Sequence, residues 1–397
     1  MIFIGLWIIA TAFGLVRMWP GNHDPLVSDD FESTFALGKQ QVNATVITSN
    51  PGDCSSPAAG TIFDSSPRIS PEDAVATDAE CTWYIVRLDS GEDAGKRSLL
   101  ISSGLAGEPD LVEGDAITLL VQEDTTGQRT YSFGDYQRTT ALIIWGAAIL
   151  IAILILAGLR GLRSLVGLAF TIGVVVLFTL PALLAGFSPT AIAIFSGALM
   201  LLPTVFLVHG WNWKAASSLG GTLAALAIAA LLAYLAIEFA NLRGLGDEEN
   251  LQILRFLPEI SVTGILLCGF IIGALGVLND VTVAQASTVN ELAELDPSAS
   301  SWQLFISAMK VGRDHITSMV YTLVLTYTGA SLPILLLLSV ADRPLGQTLT
   351  SDVMATEFLR TGVGALALTL AVPLTTLFAA YTVPNRKIQQ AAIQPAT

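Results

Sequence analysis

The chain has 397 residues, of which 52% are hydrophobic and only 13% are charged, and its mean hydropathy is +0.64. Soluble domains carry roughly 25% charged residues, so this composition excludes an ordinary soluble protein and a disordered one. The formal net charge of −14 belongs almost wholly to residues 20–140, which hold 20 of the 33 acidic and 7 of the 19 basic side chains. So acidic a segment argues against a nucleic-acid partner, which needs a basic surface.

Eight apolar segments meet or approach the length of about 20 residues that a membrane-spanning helix needs. They cover residues 1–19, 141–159, 164–187, 189–209, 215–240, 262–279, 317–340 and 361–383. The first lacks a basic start and a small-residue cleavage site, so we expect an uncleaved anchor rather than a signal peptide. The predicted fold class is a membrane α-helical bundle of about eight transmembrane helices, with an N-terminal anchor (1–19), a seven-helix domain (141–383) and a cytoplasmic tail (384–397).

The positions of Lys and Arg in the short loops predict the orientation in a bacterial plasma membrane. The link between Arg160 and Arg163 is short and basic, so we expect it on the cytoplasmic side. Alternation of the spans then places both termini in the cytoplasm and residues 20–140 outside.

The outside segment has the pattern of a small β domain inserted after the first helix. Short β-branched or aromatic runs separated by turn residues predict five strands, at 42–48, 83–88, 98–102, 116–122 and 130–133. Five short strands in about 100 residues favour a small barrel of the OB-like kind. Residues 49–80 are expected to form a long loop.

Two of the three cysteines, Cys54 and Cys81, lie in this outside segment, and Cys268 lies within an apolar span. A Cys54–Cys81 disulfide is expected in an oxidising compartment. Two unpaired thiols are the alternative, and Cys268 is interpreted as a packing residue.

The first stretch with functional character runs from an apolar helix into a polar one without a Gly or Pro break, and includes Asn279, Asp280, Gln285 and Glu291. At about 100° per residue, Asp280, Ser287, Glu291 and Glu294 fall within roughly 40° of one direction. The pattern predicts an acidic stripe at the cytoplasmic end of this span.

A second stretch, containing Lys310, Arg313, Asp314 and His315, leads directly into the next span. Charges at this depth must pair or face water, and Asp280 with Arg313 or Glu291 with Lys310 are the natural pairs. One interpretation is a gate or an ion or proton relay, in which His315 has the ordinary pKa nearest neutrality. The other is an interfacial helix whose charges are solvated.

The sequence gives no support for an enzyme. It contains no Walker-type loop, no H-E-x-x-H and no G-x-S-x-G. The three histidines, His23, His209 and His315, are too far apart in sequence to suggest a metal site. No catalytic residue, metal or cofactor is expected.

Around Asp280 and Arg313, the sequence resembles the YibE/F family of bacterial membrane proteins. The signatures lie at residues 273–280, 285–287, 291–292, 312–316, 322–325 and 327–333, and the outside domain ending at 134–138 also fits. The resemblance implies a multipass plasma-membrane protein with an outside β domain. It also implies that Asn279 stands where the family often carries an acidic residue, which argues against a paired-carboxylate role. A fold-level likeness to SecF-type and RND transporters favours coupled transport.

Two functions from different classes follow. The first is a secondary transporter or export factor, driven by an ion or proton gradient, for a small-molecule, lipid or ion substrate. The second is a non-catalytic envelope-assembly or interaction protein whose β domain binds an envelope protein. Eight spans are many for a mere anchor, which favours the first, and a homo-oligomer is compatible with both.

Overall fold

The computed structural model describes residues 2–21, 26, 40–54, 56–65, 81–123, 127–246, 248–341 and 343–393, with side chains described as far as residue 382. Its contacts divide the chain into two compact units. One unit is Asp29–Ala152, and the other combines Met1–Ser28 with Ile153–Thr397.

The first unit is built on a six-stranded antiparallel sheet in the order β2-β4-β3-β1-β5-β6. Its strands are β1 (Gln41–Gly52), β2 (Ile62–Phe63), β3 (Cys81–Leu88), β4 (Arg97–Ser102), β5 (Ala116–Glu123) and β6 (Arg129–Tyr136). The five predicted strands are confirmed, each slightly longer than its run. Strand β2 has only two residues, which is too short to show alternation of apolar and polar positions.

The sheet curls into a half-barrel around an apolar core. Val42, Ala44 and Val46 alternate inward along β1, as a half-buried strand requires. Gly60 links β4 to the edge strand β6, because its N–H donates to the Leu99 carbonyl and its own carbonyl accepts from the Tyr131 N–H, both at 2.8 Å. Its φ of +73° and the nearby Tyr131 carbonyl oxygen, 2.8 Å from where a Cβ would stand, favour glycine there.

The Cys54–Cys81 disulfide is confirmed, with the two Cα atoms 5.1 Å apart. It joins the chain just after β1 to the first residue of β3, the strand that pairs with β1. Residues 55 and 66–80 of the predicted long loop lie outside the described residues.

The second unit is helical. Its elements are α1 (Ile2–Met18), α2 (Thr139–Leu184, whose first part belongs to the other unit), α3 (Pro189–His209), α4 (Trp213–Ala240), α5 (Glu248–Phe256), α6 (Val262–Leu295), α7 (Ser301–Ala330), α8 (Leu332–Ser339), α9 (Leu345–Leu349) and α10 (Asp352–Ile393). Side-chain caps fix several starts: Asn212 accepts from the Ala215 N–H at α4, and Ser261 from the Gly264 N–H at α6.

Among the described residues, five helices are long and apolar enough to cross a membrane: α2, α3, α4, α6 and α10. A sixth is added if α7 and α8, bent by 66°, form one span, whereas α1 has 17 residues. The chain is therefore a membrane protein with transmembrane helices, but the predicted number of eight is not confirmed. Predicted spans 141–159 and 164–187 lie in the single helix α2, interrupted at Gly158, and span 317–340 is divided between α7 and α8.

Helices α4, α6 and α10 pack against one another at the centre of the bundle. Their contact depends on small residues, which let helix backbones approach closely in a membrane. On α4 these recur every fourth residue and are all buried: Ser217, Gly221, Ala225, Ala229 and Ala233. Ala367 and Ala371 of α10 are also fully buried in the same core.

Candidate functional site

The charged side chains predicted at the cytoplasmic ends of α6 and α7 lie on the surface of the helical unit. Asp280, Glu291, Lys310, Arg313 and Asp314 are all exposed. In the described part of the helical unit, Glu357 and Arg360 form an ion pair within 4.0 Å. Neither of the pairs suggested by the sequence, Asp280–Arg313 and Glu291–Lys310, forms among these described residues. The predicted stripes therefore do not meet as a paired charge network.

Asp280 instead approaches the neighbouring helix α3. It lies within electrostatic range of His209, at the end of α3, and His209 lies within range of Lys214, near the start of α4. The sequence pattern could not identify these neighbours, because they lie on other elements.

Gln285 is the predicted site residue that the structure places inside the bundle, with no exposed surface. Its Nε2 donates to the Ala308 carbonyl on α7 at 3.0 Å and to Thr376 Oγ1 on α10 at 2.8 Å. Because the Ala308 carbonyl can only accept, these bonds fix which end of the amide faces it. Both ends of the amide lie beside Gly312, with Nε2 3.0 Å and Oε1 3.1 Å from where a Gly312 Cβ would stand.

Hydroxyl groups continue this polar region between α4 and α6. Thr282 Oγ1 lies 2.6 Å from Thr222 Oγ1 and 3.2 Å from Ser218 Oγ, and all three residues are buried. At the α10 side, Ser217 Oγ lies 2.8 Å from Thr382 Oγ1. We call this set the polar seam; its members are Ser217, Ser218, Thr222, Asn279, Thr282, Gln285, Thr375, Thr376 and Thr382.

Within the part of the chain that the structure describes, three oxygen atoms of the polar seam have no hydrogen-bond partner: Asn279 Oδ1, Gln285 Oε1 and Thr375 Oγ1. Nδ1 of His315, which is half-buried, also has no partner among these residues. Buried polar atoms normally find a partner, and bound water is the usual one where the protein supplies none. The polar seam therefore offers hydrogen-bonding capacity to water or solute inside an otherwise apolar bundle.

A second polar region lies where α7 gives way to α8. Ser331, the residue between the two helices, lines a cavity of about 310 Å³ together with Tyr327 of α7 and Glu357 of α10. The rest of the wall is mainly apolar: Val324, Leu335, Met354, Phe358, Gly362 and Ala365, with Thr328 and Thr361. We call this space the break cavity.

An ion pair stands at the break cavity. Glu357 Oε1 lies 2.6 Å from Arg360 Nη1, and Glu357 Oε2 accepts from Ser331 Oγ at 2.7 Å. Both charged side chains are largely shielded, with 18% and 26% of their surfaces exposed. A charge within a membrane bundle is costly and usually marks a functional path.

Helix α6 contacts both polar regions. Arg360 lies over the ring of Phe270 at 5.5 Å, and the Tyr327 hydroxyl lies 2.6 Å from where a Gly273 Cβ would stand. From Gly273 to Gln285 the helix advances about 18 Å. Fully or nearly buried apolar residues, Ala274 and Leu278, fill the interval.

Glu357 and Arg360 were not identified from the sequence, because they lie just before the last apolar run and resemble charges of a loop. Their spacing of three residues on a helix was the available signal, since it places opposite charges side by side. The hydrogen bond between Glu357 and Ser331, at the α7–α8 break, carried no sequence signal.

Comparison with protein families finds a match to the model for YibE/F-like protein over residues 145–385, more than half of the chain. Comparison with curated proteins and with solved structures finds no match.

Proposed function

The chain belongs to the YibE/F-like family, and from that premise we propose that this membrane protein is a secondary transporter or export factor, driven by an ion or proton gradient. Its substrate passes through the helical bundle, and the chain carries no catalytic activity of its own. We further propose that the membrane is the bacterial plasma membrane, with both termini in the cytoplasm.

The observation that carries this proposal is the 66° bend between α7 and α8, which we take to form one discontinuous span. Transporters commonly bind their substrates where a spanning helix is interrupted, because the freed polar groups face a cavity rather than lipid. Here the interruption falls at Ser331, which lines the break cavity and donates to Glu357. A helical anchor has no need for a partly buried ion pair at such a position.

The polar seam and the charged helix ends complete the proposed path. The three oxygens of the polar seam that lack a partner among the described residues can hydrogen-bond water or solute beyond the apolar interval on α6. Asp280, Glu291, Lys310, Arg313, Asp314 and His315, together with Asn279 and Gln285, are proposed as the cytoplasmic gate or relay.

Charge-removing substitutions at this gate test the proposal. Full-length protein in liposomes is placed on a solid-supported membrane, and currents are recorded after concentration jumps of organic cations, organic anions and amino acids. We expect currents above protein-free liposomes for at least one class, and their loss in Asp280→Asn and Arg313→Ala. Glu259→Gln removes an exposed charge just before α6 and outside the predicted stripes; it is the matched control and keeps the current. Absence of current from the unchanged protein, or normal current in both gate variants, overturns the proposal.

A second candidate function is favoured by a cleft in the β unit. The sheet order and the Gly60 connection support our proposal of a small OB-like barrel, and a cleft of about 640 Å³ opens beside β4 and β6. Glu108 and Tyr131 are among its lining residues. We propose that this cleft could receive an envelope protein. If this is the working part, deleting residues 30–138 removes all function, whereas the gate variants remain fully active.

A further inference from the structure

We propose that the break cavity binds a lipophilic organic cation, which makes such cations the substrate class of the transporter. This inference rests on the proposed function, because it names what the discontinuous span would carry. Charge, shape and chemistry of the wall each contribute to it.

The charge that faces the break cavity is negative. Glu357 is the ionisable acidic residue of its lining, whereas Arg360 is not part of the lining. The guanidinium of Arg360 lies over the ring of Phe270 on α6, at 5.5 Å. A solute in the cavity therefore contacts the Glu357 carboxylate directly. The guanidinium of Arg360, which neutralises this carboxylate, does not line the cavity.

The carboxylate of Glu357 still has room for a further donor or a cation. An ionised carboxylate offers about four lone-pair positions, and the structure fills one on each oxygen, with Arg360 Nη1 and Ser331 Oγ. A solute cation can approach Oε2 without breaking the ion pair. An anionic solute would meet repulsion and would leave its own charge without a partner.

The shape of the break cavity fits a small apolar molecule. Its volume of about 310 Å³ lies at the lower end of the range for ligand pockets, roughly 300–1,000 Å³. Most of its wall is hydrocarbon, and Tyr327 and Phe358 contribute aromatic rings. Aromatic faces attract organic cations through their negative quadrupole, so the wall suits both parts of a lipophilic cation.

A pair of matched probes tests the charge requirement. Benzyltrimethylammonium and neopentylbenzene have nearly the same shape, but only the first is charged. Equilibrium binding to purified full-length protein in nanodiscs is measured without any gradient. We expect the cation to bind at least tenfold more tightly than the neutral probe, and the anion benzenesulfonate not to bind.

Two substitutions test the location. Glu357→Gln keeps an acceptor for Ser331 but removes the charge, and we expect at least tenfold weaker binding of the cation. Gly362→Leu fills the cavity, because no atom lies within 4 Å of the position where a Gly362 Cβ would stand. We expect it to abolish binding without disturbing the helix.

Matched controls accompany each substitution. Gly146→Leu is also a helical glycine with nothing within 4 Å, and it lies on exposed α2. Glu259→Gln removes an exposed charge outside the cavity. We expect both to bind the cation as the unchanged protein does.

Three results overturn this inference: equal affinity for the neutral probe, normal binding in Glu357→Gln, or no binding of the cation to the unchanged protein. The first result would point to a lipid acyl chain as the occupant. None of them decides the proposed function, because the gate test also uses organic anions and amino acids and measures current rather than binding. Conversely, cation binding without any current would support the cation site in the break cavity and contradict the proposed transport function.

Discussion

At the scale of single residues, Asp93 is the most informative charged group of the β unit. Its side chain accepts from Lys96 Nζ at 2.9 Å and from the Tyr131 hydroxyl at 2.7 Å, and the residue is 8% exposed. The Lys96 bond, followed by the Tyr131 bond, holds the pKa of Asp93 below its usual value. Burial, together with this bond, raises the pKa of Tyr131 to about 12. The contact ties the β3–β4 turn to β6.

The lowered pKa of Asp93 predicts acid sensitivity of the β unit. A carboxyl whose pKa is lower in the folded state stabilises that state above its unfolded pKa of about 3.9, and the contribution is lost as the pH falls through the folded value. We expect hydrogen exchange at β4 and β6, corrected for intrinsic rates, to accelerate below about pH 4. Asp93→Asn is expected to be less stable near neutral pH, with a smaller change on acidification. An unchanged acid response in Asp93→Asn would contradict the assignment.

Removal of the Tyr131 hydroxyl should weaken the same contact. Tyr131→Phe leaves the Asp93 carboxylate one donor short, and we expect a loss of about 1–3 kcal/mol in the free energy of unfolding. Tyr136→Phe serves as the control, because its hydroxyl donates to the Asp110 carbonyl at an exposed position. Exposed changes usually stay within about 0.5 kcal/mol. Denaturant titration of full-length protein, followed by hydrogen exchange at β6, measures both.

At the scale of elements, two adjacent glycines on α4 predict opposite outcomes. A Cβ on Gly221 would stand 2.0 Å from Thr375 Oγ1 and 2.9 Å from Thr375 Cα, so α4 and α10 would have to separate. A Cβ on Gly220 meets nothing closer than Phe378, at 3.9 Å. We expect Gly221→Ala to cost about 1–3 kcal/mol through overpacking, and Gly220→Ala to be tolerated. Thermal unfolding of the two purified variants compares them, and equal midpoints would contradict the packing of α4 against α10.

The elements themselves were largely predictable, whereas their partners were not. Alternation fixes the faces of a strand over 42–48, and apolar length fixes spans such as 189–209, because both patterns are local. The bend at Ser331 was not predicted from the sequence, because a proline such as Pro333 is also tolerated in continuous membrane helices. The exposure of Arg313 and the burial of Gln285 depend on how α6, α7 and α10 pack, and no single helix encodes that.

At the scale of the whole molecule, the length of α2 determines how many times this part of the chain is expected to cross the membrane. A continuous helix of 46 residues would be roughly 69 Å long, more than twice the hydrocarbon thickness of about 30 Å. The backbone of Gly158, at φ 57° and ψ −138°, interrupts it two residues before Arg160. Two crossings joined by the basic link are therefore expected.

Cysteine labelling tests this threading. Ser164→Cys is exposed after the link, and we expect a membrane-impermeant maleimide to label it only from the cytoplasmic side. Ser103→Cys, exposed in the β unit, should be labelled only from the opposite side. The native background is low because Cys54 and Cys81 are bonded and Cys268 is buried. Labelling of both positions from one side would refute the two crossings.

The Cys54–Cys81 bond also has a consequence for biogenesis. Thiols oxidise stably only where the surroundings permit it; with residues 20–140 outside the membrane, as we propose, the bond can close only after this segment has been exported. Chains that are still retained on the reducing side, or inserted the wrong way round, keep two free thiols. Thiol alkylation before electrophoresis therefore separates newly made, misinserted chains from mature ones, and the protein carries in its own covalent structure a record of having been delivered correctly.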